Sequence, residues 1–236
     1  MTSEVKKQEV KNDTSSSKAD NSTAAAVSPP TDSTKEETAD ATAGATEVVT
    51  KHPLQNQWQL WYYRPGGKGS AWEDNLLDVT HFDTVEDFWA LYNHIQLASS
   101  LTSGCDYSIF KHGIRPMWED TANKEGGRWL FMVNKRQARP NQQNPTVDEL
   151  WLEVLLCLIG EAFGDDSDQI CGAVVNVRPK MDKISIWTSS YRSEQSVLNI
   201  GRILKSRTGF QPNISYEAHN DTIVKTGSIA RHLHVL

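Results

Sequence analysis

One stretch of the chain decides the fold: residues 171–188 read CGAVVNVRPKMDKISIWT. Its two halves, 171–178 and 183–188, have the β-branched, alternating composition of strands, and the short polar connection between them is typical of a hairpin. We therefore predict that these strands pair antiparallel. Because side chains alternate along a strand, the first half divides into two faces: Ala173, Val175 and Val177 on one, and Val174, Asn176 and Arg178 on the other.

Further strands are predicted on both sides of this hairpin, at uneven spacing. They cover residues 58–63, 76–82, 107–110, 128–134 and 214–219. No glycine-rich turn opens a helix after a strand, which favours an antiparallel sheet over a doubly wound parallel one.

Three other stretches have apolar residues at helical spacing. They predict one helix that begins near Asp83 and Thr84, one that runs from Thr146 to about Gly160, and one over about residues 194–205. Two capping pairs are available at the first start, Asp83 with Glu86 or Thr84 with Asp87, and Thr146 with Glu149 caps the second. The pattern predicts an α+β protein with one antiparallel sheet and its helices on one face.

The 236 residues divide into two unlike parts. Residues 1–50 contain five Lys, nine acidic residues and no aromatic, Leu or Ile residue. Such a segment buries too little apolar surface to offset the entropy of ordering it. We therefore expect a disordered N-terminal tail over 1–50 and one domain over 51–236, which keeps 19 of the 24 basic residues and 21 of the 30 acidic residues.

The composition argues against several classes of protein. A nearly neutral domain does not fit a non-specific binder of long nucleic acids. No run of 18 apolar residues predicts a membrane span, and the first residues lack the pattern of a signal peptide. The three Cys residues match neither a disulfide framework nor a zinc site, and the seven His residues show no metal spacing. We expect a cytoplasmic protein, also compatible with the nucleus, without a cofactor or metal.

Two of the eight Trp residues lie in loop sequences. Trp72 follows a glycine-rich polar run and Trp118 follows Pro116, whereas the patterns around four others predict core positions: Trp58, Trp61, Trp129 and Trp151. A large apolar ring on a loop usually has a partner that covers it. Two such rings could hold a flat aromatic ligand, since stacking on a nucleobase contributes about 1–3 kcal/mol. A cationic ring would add about 2 kcal/mol of cation–π attraction when desolvated.

Charged residues near these rings fit the other groups of a nucleotide. Glu119 could accept two parallel hydrogen bonds from N1 and N2 of guanine. Arg178 and Lys183 flank the hairpin connection and would suit a di- or triphosphate. Taken alone, Glu119 is more often a solvated loop acid, and the basic pair is more often a solvated hairpin tip. The acidic cluster of Asp165, Asp166 and Asp168 leaves open a third hypothesis, an enzyme that hydrolyses nucleotides.

Seven segments carry a resemblance that covers essentially all of 51–236: residues 52–58, 82–89, 116–120, 126–129, 151–153, 172–178 and 186–188. They resemble the eukaryotic translation initiation factor 4E family, the messenger-RNA cap-binding proteins. The resemblance implies a curved antiparallel sheet backed by three α-helices on its convex face, with the cap held on the concave side. It also implies a monomer that binds without catalysing a reaction.

The resemblance implies a role for each matching residue. Trp72 and Trp118 would sandwich the 7-methylguanine, Glu119 would pair with its N1 and N2 edge, and Trp187 would touch the N7-methyl group. The phosphates would be bound by Arg178 and Lys183, with Arg128, Asn176 and Lys180 in support and Lys225 near the later nucleotides.

On the convex side, the resemblance implies a groove for an amphipathic helix from the scaffold factor 4G or from 4E-binding repressor proteins. The groove residues would be His52, Pro53, Val85, Trp89, Leu152, Glu153 and Leu156. Ser228 matches the family's regulatory phosphorylation site, where a phosphate would add about −1.5 to −2 charge.

The leading hypothesis is thus a cap-binding protein that recruits capped messenger RNA to the initiation machinery. The alternative is a cap-binding paralogue that acts mainly as a translational repressor with a 4E-binding partner.

Overall fold

The computed structural model describes residues 50–67, 69–135, 144–223 and 232–236. Within these residues, eight strands form one antiparallel, curved sheet in the order β2-β1-β3-β5-β6-β4-β7-β8. The strands are β1 (Pro53–Tyr63), β2 (Leu76–Thr84), β3 (Asp106–Lys111), β4 (Gly127–Asn134), β5 (Ile170–Asn176), β6 (Met181–Thr188), β7 (Ser215–Ala218) and β8 (His234–Val235). The helices are α1 (Val85–His94), α2 (Val147–Ile159), α3 (Glu194–Thr208) and the short α4 (His219–Ile223). The predicted tail, apart from Thr50, lies outside the described residues.

All seven predicted strands are present, and β5 and β6 pair antiparallel as the hairpin pattern indicates. Most of the predicted boundaries differ by one or two residues, and the start of β1 differs by five. Strand β1 begins at Pro53 instead of residue 58, and β7 ends at Ala218 because His219 opens α4. Strand β8 was not predicted, since two residues are too few to show a period.

One face of the sheet carries the hydrophobic core and the three longer helices. Ala173, Val175 and Val177 pack there, as predicted, against apolar residues of α1, α2 and α3. Three of the four Trp residues expected in the core, Trp58, Trp129 and Trp151, are buried. The prediction for Trp61 was wrong: its ring is only half-buried, because alternation from Trp58 turns it to the opposite face of β1.

The helix boundaries follow the capping signals. In α1 the pair that forms is Thr84 with Asp87, since the Asp87 amide donates to Thr84 Oγ1 at 3.2 Å. In α2 the Glu149 amide donates to Thr146 Oγ1 at 3.2 Å, and Glu149 Oε2 accepts from the Thr146 amide at 2.8 Å. Helix α3 continues to Thr208, beyond the predicted end, and Gly209 closes it at a φ of 63°. None of the helices in the described ranges is long and apolar enough to cross a membrane.

The reciprocal cap of α2 gives a stability prediction. Thr146→Ala removes the acceptor for the Glu149 amide, so we expect it to lower the free energy of unfolding by about 1 kcal/mol. Urea denaturation followed by Trp fluorescence measures this change. Thr146→Ser keeps the hydroxyl and should stay close to the wild type. Equal stability of the Ala variant and the wild type would contradict the role of the cap.

Candidate ligand-binding site

The face of the sheet opposite the core carries a cavity of about 660 Å³. Strands β3, β5 and β6 form its floor, and the loops that follow β1 and β3 form its rim. Eight predicted site residues line it: Trp72, Trp118, Glu119, Arg128, Asn176, Arg178, Lys183 and Trp187. Lys180 lies instead on the exposed turn between β5 and β6 and is not among the lining residues. Lys225 lies outside the described residues.

Trp72 is an exposed ring at the rim. It precedes a short 3-10 helix, Glu73–Asn75, and 43% of its surface is exposed. One face of the indole stacks on Tyr63, with ring centroids 5.5 Å apart and planes 20° from parallel. The ring also lines the cavity. The contact with Tyr63 was not predicted, although alternation along β1 places residues 61 and 63 on this face.

Trp118 and Glu119 are joined before any ligand binds. The Trp118 indole Nε1 donates to Glu119 Oε1 at 2.6 Å. The loop around them is held from inside by Asn123, which is fully buried and donates from Nδ2 to the carbonyl oxygens of Arg115 and Met117 at 2.9 and 2.8 Å. A ligand that offers two adjacent N–H groups would compete with the indole for the Glu119 carboxylate.

Trp187 lies on the floor of the cavity and is almost completely buried. Its Nε1 donates to Ser185 Oγ at 3.2 Å. Its ring packs edge-to-face on Phe110, with centroids 5.5 Å apart, and lies against the His219 imidazole at 4.3 Å. These contacts fix the indole, so we expect it to keep its position when a ligand enters.

Two arginines at the cavity are paired with carboxylates. Arg178 makes a bidentate pair with Asp106, from Nη1 to Oδ1 at 2.6 Å and from Nη2 to Oδ2 at 3.3 Å. Arg128 Nη2 donates to Glu217 Oε2 at 3.4 Å. Asp106 and Glu217 were not predicted as site residues, because neither lies near its partner in the chain.

Lys183 is the third cation, and its amino group makes no hydrogen bond or ion pair with the described residues. Burial lowers the pKa of its amino group, and the nearby Arg128 guanidinium lowers it further. An anion bound beside Lys183 would favour its charged form. Chemically, the cavity therefore suits a ligand with a flat aromatic ring at one end and phosphates at the other.

The predicted groove residues lie on α1, on α2 and at the start of β1. Val85 and Trp89, one turn apart on α1, each expose 37% of their surface. Leu152, Glu153 and Leu156 are half-buried on α2, and Pro53 is exposed at the start of β1.

His52 is held to α1 by two contacts. Its carbonyl oxygen accepts from the Val85 amide at 2.9 Å, and its Nδ1 lies 2.6 Å from Glu86 Oε1. Ser228 lies outside the described residues.

The fold and the cavity together define a class: a curved antiparallel sheet, backed by helices, with a cavity on its open face that is lined by indoles and cations. The sequence model of eukaryotic initiation factor 4E matches residues 53–232. The chain belongs to the eukaryotic initiation factor 4E family.

Curated relatives cover most of the chain. It is 54% identical to eukaryotic translation initiation factor 4E-1A of Danio rerio over 192 residues, which is 80% of this chain and 86% of that protein. It is 51% identical to eukaryotic translation initiation factor 4E of Homo sapiens over 210 residues, which is 88% of this chain and 94% of that protein.

Solved structures of relatives share the fold. Ascaris suum eIF4E-3 in complex with the m2,2,7G cap is 49% identical, with a TM-score of 0.71, and covers 79% of this chain and 99% of its own. Caenorhabditis elegans eIF4E-3, in complex with the 4E-binding protein Mextli and a cap analog, is 45% identical, with a TM-score of 0.70, and covers 79% of this chain and 100% of its own.

The His219 imidazole behind Trp187 gives a pH prediction. Burial, reinforced by the nearby Arg128 charge, lowers its pKa from 6.5 to about 3. At a pH between these two pKa values, the His219 imidazole is therefore protonated in the unfolded chain and neutral in the folded protein. We expect this to cost about 2 kcal/mol of the free energy of unfolding between pH 7 and pH 5. Urea denaturation at both pH values should show a smaller loss for His219→Gln, and an equal loss in both proteins would contradict the assignment.

Proposed function

We propose that the chain binds the 7-methylguanosine cap of messenger RNA and recruits capped messenger RNA to the translation initiation machinery. One observation carries this proposal: a single cavity gathers two rim indoles, a carboxylate beside one of them, and three cations. Each feature has a counterpart in the cap. Relatives bound to m7G and m2,2,7G caps support it, since the chain is 48% and 49% identical to them.

The base would enter between Trp72 and Trp118. Methylation at N7 gives the purine a positive charge, and a desolvated cation over an indole face gains about 2 kcal/mol. The Glu119 carboxylate would give up its hydrogen bond from the Trp118 indole and accept two from N1 and N2 of guanine. Adenine and the pyrimidines do not offer this pair of donors. Both interactions favour the methylated guanine over other bases.

The phosphates would lie against Arg178, Lys183 and Arg128. Arg178 reaches the cavity already oriented by Asp106, so little side-chain entropy remains to be lost on binding. Lys183 gains a partner that the unbound cavity does not supply. Asn176 lines the same wall and adds an uncharged donor. Lys180, on the exposed turn, would act only as a more distant charge.

The groove on α1 and α2 would receive an amphipathic helix from a scaffold factor or a 4E-binding protein. Exposed Val85 and Trp89 form an apolar stripe of the kind such a helix covers. The neighbouring structures include one with the 4E-binding protein Mextli and one of a schistosome relative, 35% identical, with 4E-BP. The relatives are named as initiation factors, which favours the initiation role over the repressor alternative. We also propose that the protein acts by binding alone, in the cytoplasm.

Cap binding is tested by Trp118→Ala. Loss of one stacking face should weaken binding of 7-methyl-GTP about 10- to 100-fold, measured by quenching of the remaining Trp fluorescence. Trp89→Ala, on the other side of the sheet, is the matched control and should bind the nucleotide as the wild type does. The wild type should bind unmethylated GTP far more weakly; equal affinities for GTP and 7-methyl-GTP would refute selection by the cationic base.

Partner binding is tested with the same two variants, with Trp89→Ala now as the test and Trp118→Ala as a control. Trp89→Ala should abolish recovery of a peptide of the Tyr-x-x-x-x-Leu-Φ type, because it removes the largest apolar surface of the groove. Trp118→Ala should retain the peptide, and so should Leu97→Ala, which truncates another exposed apolar residue. Calorimetric titration provides the affinities. Undiminished binding by Trp89→Ala would place the partner on another surface.

A further inference from the structure

Glu217 is a buried acid next to the cations of the cavity, and the proposed cap contacts do not use it. It lies on β7 directly across from Arg128 on β4, and only 9% of its side chain is exposed. Its Oε2 accepts from Arg128 Nη2 at 3.4 Å, and its Oε1 lies 3.5 Å from Nδ1 of His232. A carboxylate this buried needs such partners, because removing its charge from water is costly.

Arg128 depends on Glu217 for its position. Its cross-strand neighbours are Trp187 on β6 and Glu217 on β7. Of these two, only Glu217 can accept a hydrogen bond from a guanidinium through its side chain. Within the residues that the structure describes, Glu217 is the one group to which the Arg128 side chain donates. Among the described residues Nη1 of Arg128 has no hydrogen-bond partner, so the guanidinium has a donor left for an anion, whereas Nε is buried.

Glu217 also sets the charge of the cavity. Asp106 offsets Arg178, Glu217 offsets Arg128, and Lys183 has no carboxylate partner among the described residues. At the phosphate end of the cavity, these three cations and two acids leave one net positive charge. At short range and away from water, one additional charge changes the attraction of a phosphate strongly.

We propose that Glu217 is the positioning and charge-setting residue of the phosphate subsite: it orients the Arg128 guanidinium and limits how much affinity each further phosphate adds. This inference rests on the proposed cap-binding function. The Arg128 side chain contacts the phosphates, and Glu217 acts through it. The subsite thereby holds a cap triphosphate without attracting polyphosphates indiscriminately.

The charge-setting role is tested by Glu217→Gln, which keeps the shape and the acceptor oxygen but removes the charge. We expect it to bind 7-methyl-GTP about 3- to 10-fold more tightly than the wild type, to bind 7-methyl-GMP within a factor of about 2, and to show a steeper dependence on salt. Glu125→Gln is the matched control, since Glu125 pairs with Arg192 outside the cavity. Glu125→Gln makes the same change in net charge and should leave the two nucleotide affinities and their dependence on salt unaltered.

The positioning role is tested by Glu217→Ala, which removes the charge and the acceptor together. It should bind 7-methyl-GTP at least about 3-fold more weakly than Glu217→Gln because Arg128 is no longer oriented, while 7-methyl-GMP affinity reports that the base site is intact. Equal affinities of the two variants would overturn positioning. Unchanged or weaker 7-methyl-GTP binding by Glu217→Gln would overturn charge setting. No binding by the wild type would overturn the proposed function, and this inference with it.

Discussion

The alternation of side chains along β5 and β6 is the constraint on which both the core and the cavity depend. Ala173 and Val175 pack under the helices, whereas Val174 and Asn176 line the cavity on the other face. A shift of one residue in register would exchange these sets. Gly172 helps to fix the arrangement, because a Cβ atom there would collide with the Phe110 ring that supports Trp187. Fold stability and ligand recognition therefore use the same two strands.

The two ends of the cavity are prepared for a ligand in different ways. At the phosphate end, carboxylates on neighbouring strands hold Arg178 and Arg128 in place. At the base end, Trp187 is fixed by burial, whereas Trp72 is an exposed ring that rests on Tyr63. The conformational entropy of these long charged side chains is thus lost mainly when the protein folds and not when the ligand binds. The part of the site that can still adapt to a ligand is its rim. This division suits a ligand whose phosphates are invariant and whose base must be selected.

The sequence predicted the elements of the fold and five of the residues that line the cavity, because periodicity, caps and loop aromatics are local signals; Arg128, Asn176 and Trp187 were predicted only through the family resemblance. Seven strands, three helices and the cap at Thr146 follow from such signals. The partners of the arginines do not. Asp106 lies 72 residues from Arg178 and Glu217 lies 89 residues from Arg128, and they meet only because β3 pairs with β5 and β4 with β7. Strand order is set by the packing of the whole sheet, which no single stretch encodes.

The central claim is that two indoles on opposite sides of the cavity enclose a cationic purine. A crystal structure of the protein with 7-methyl-GTP tests it most directly. We expect the Trp72 and Trp118 rings to lie parallel on the two faces of the base, Glu119 to accept from N1 and N2, and Trp187 to keep its contact with Phe110. A nucleotide bound outside this cavity, or a base stacked on neither indole, would contradict the account.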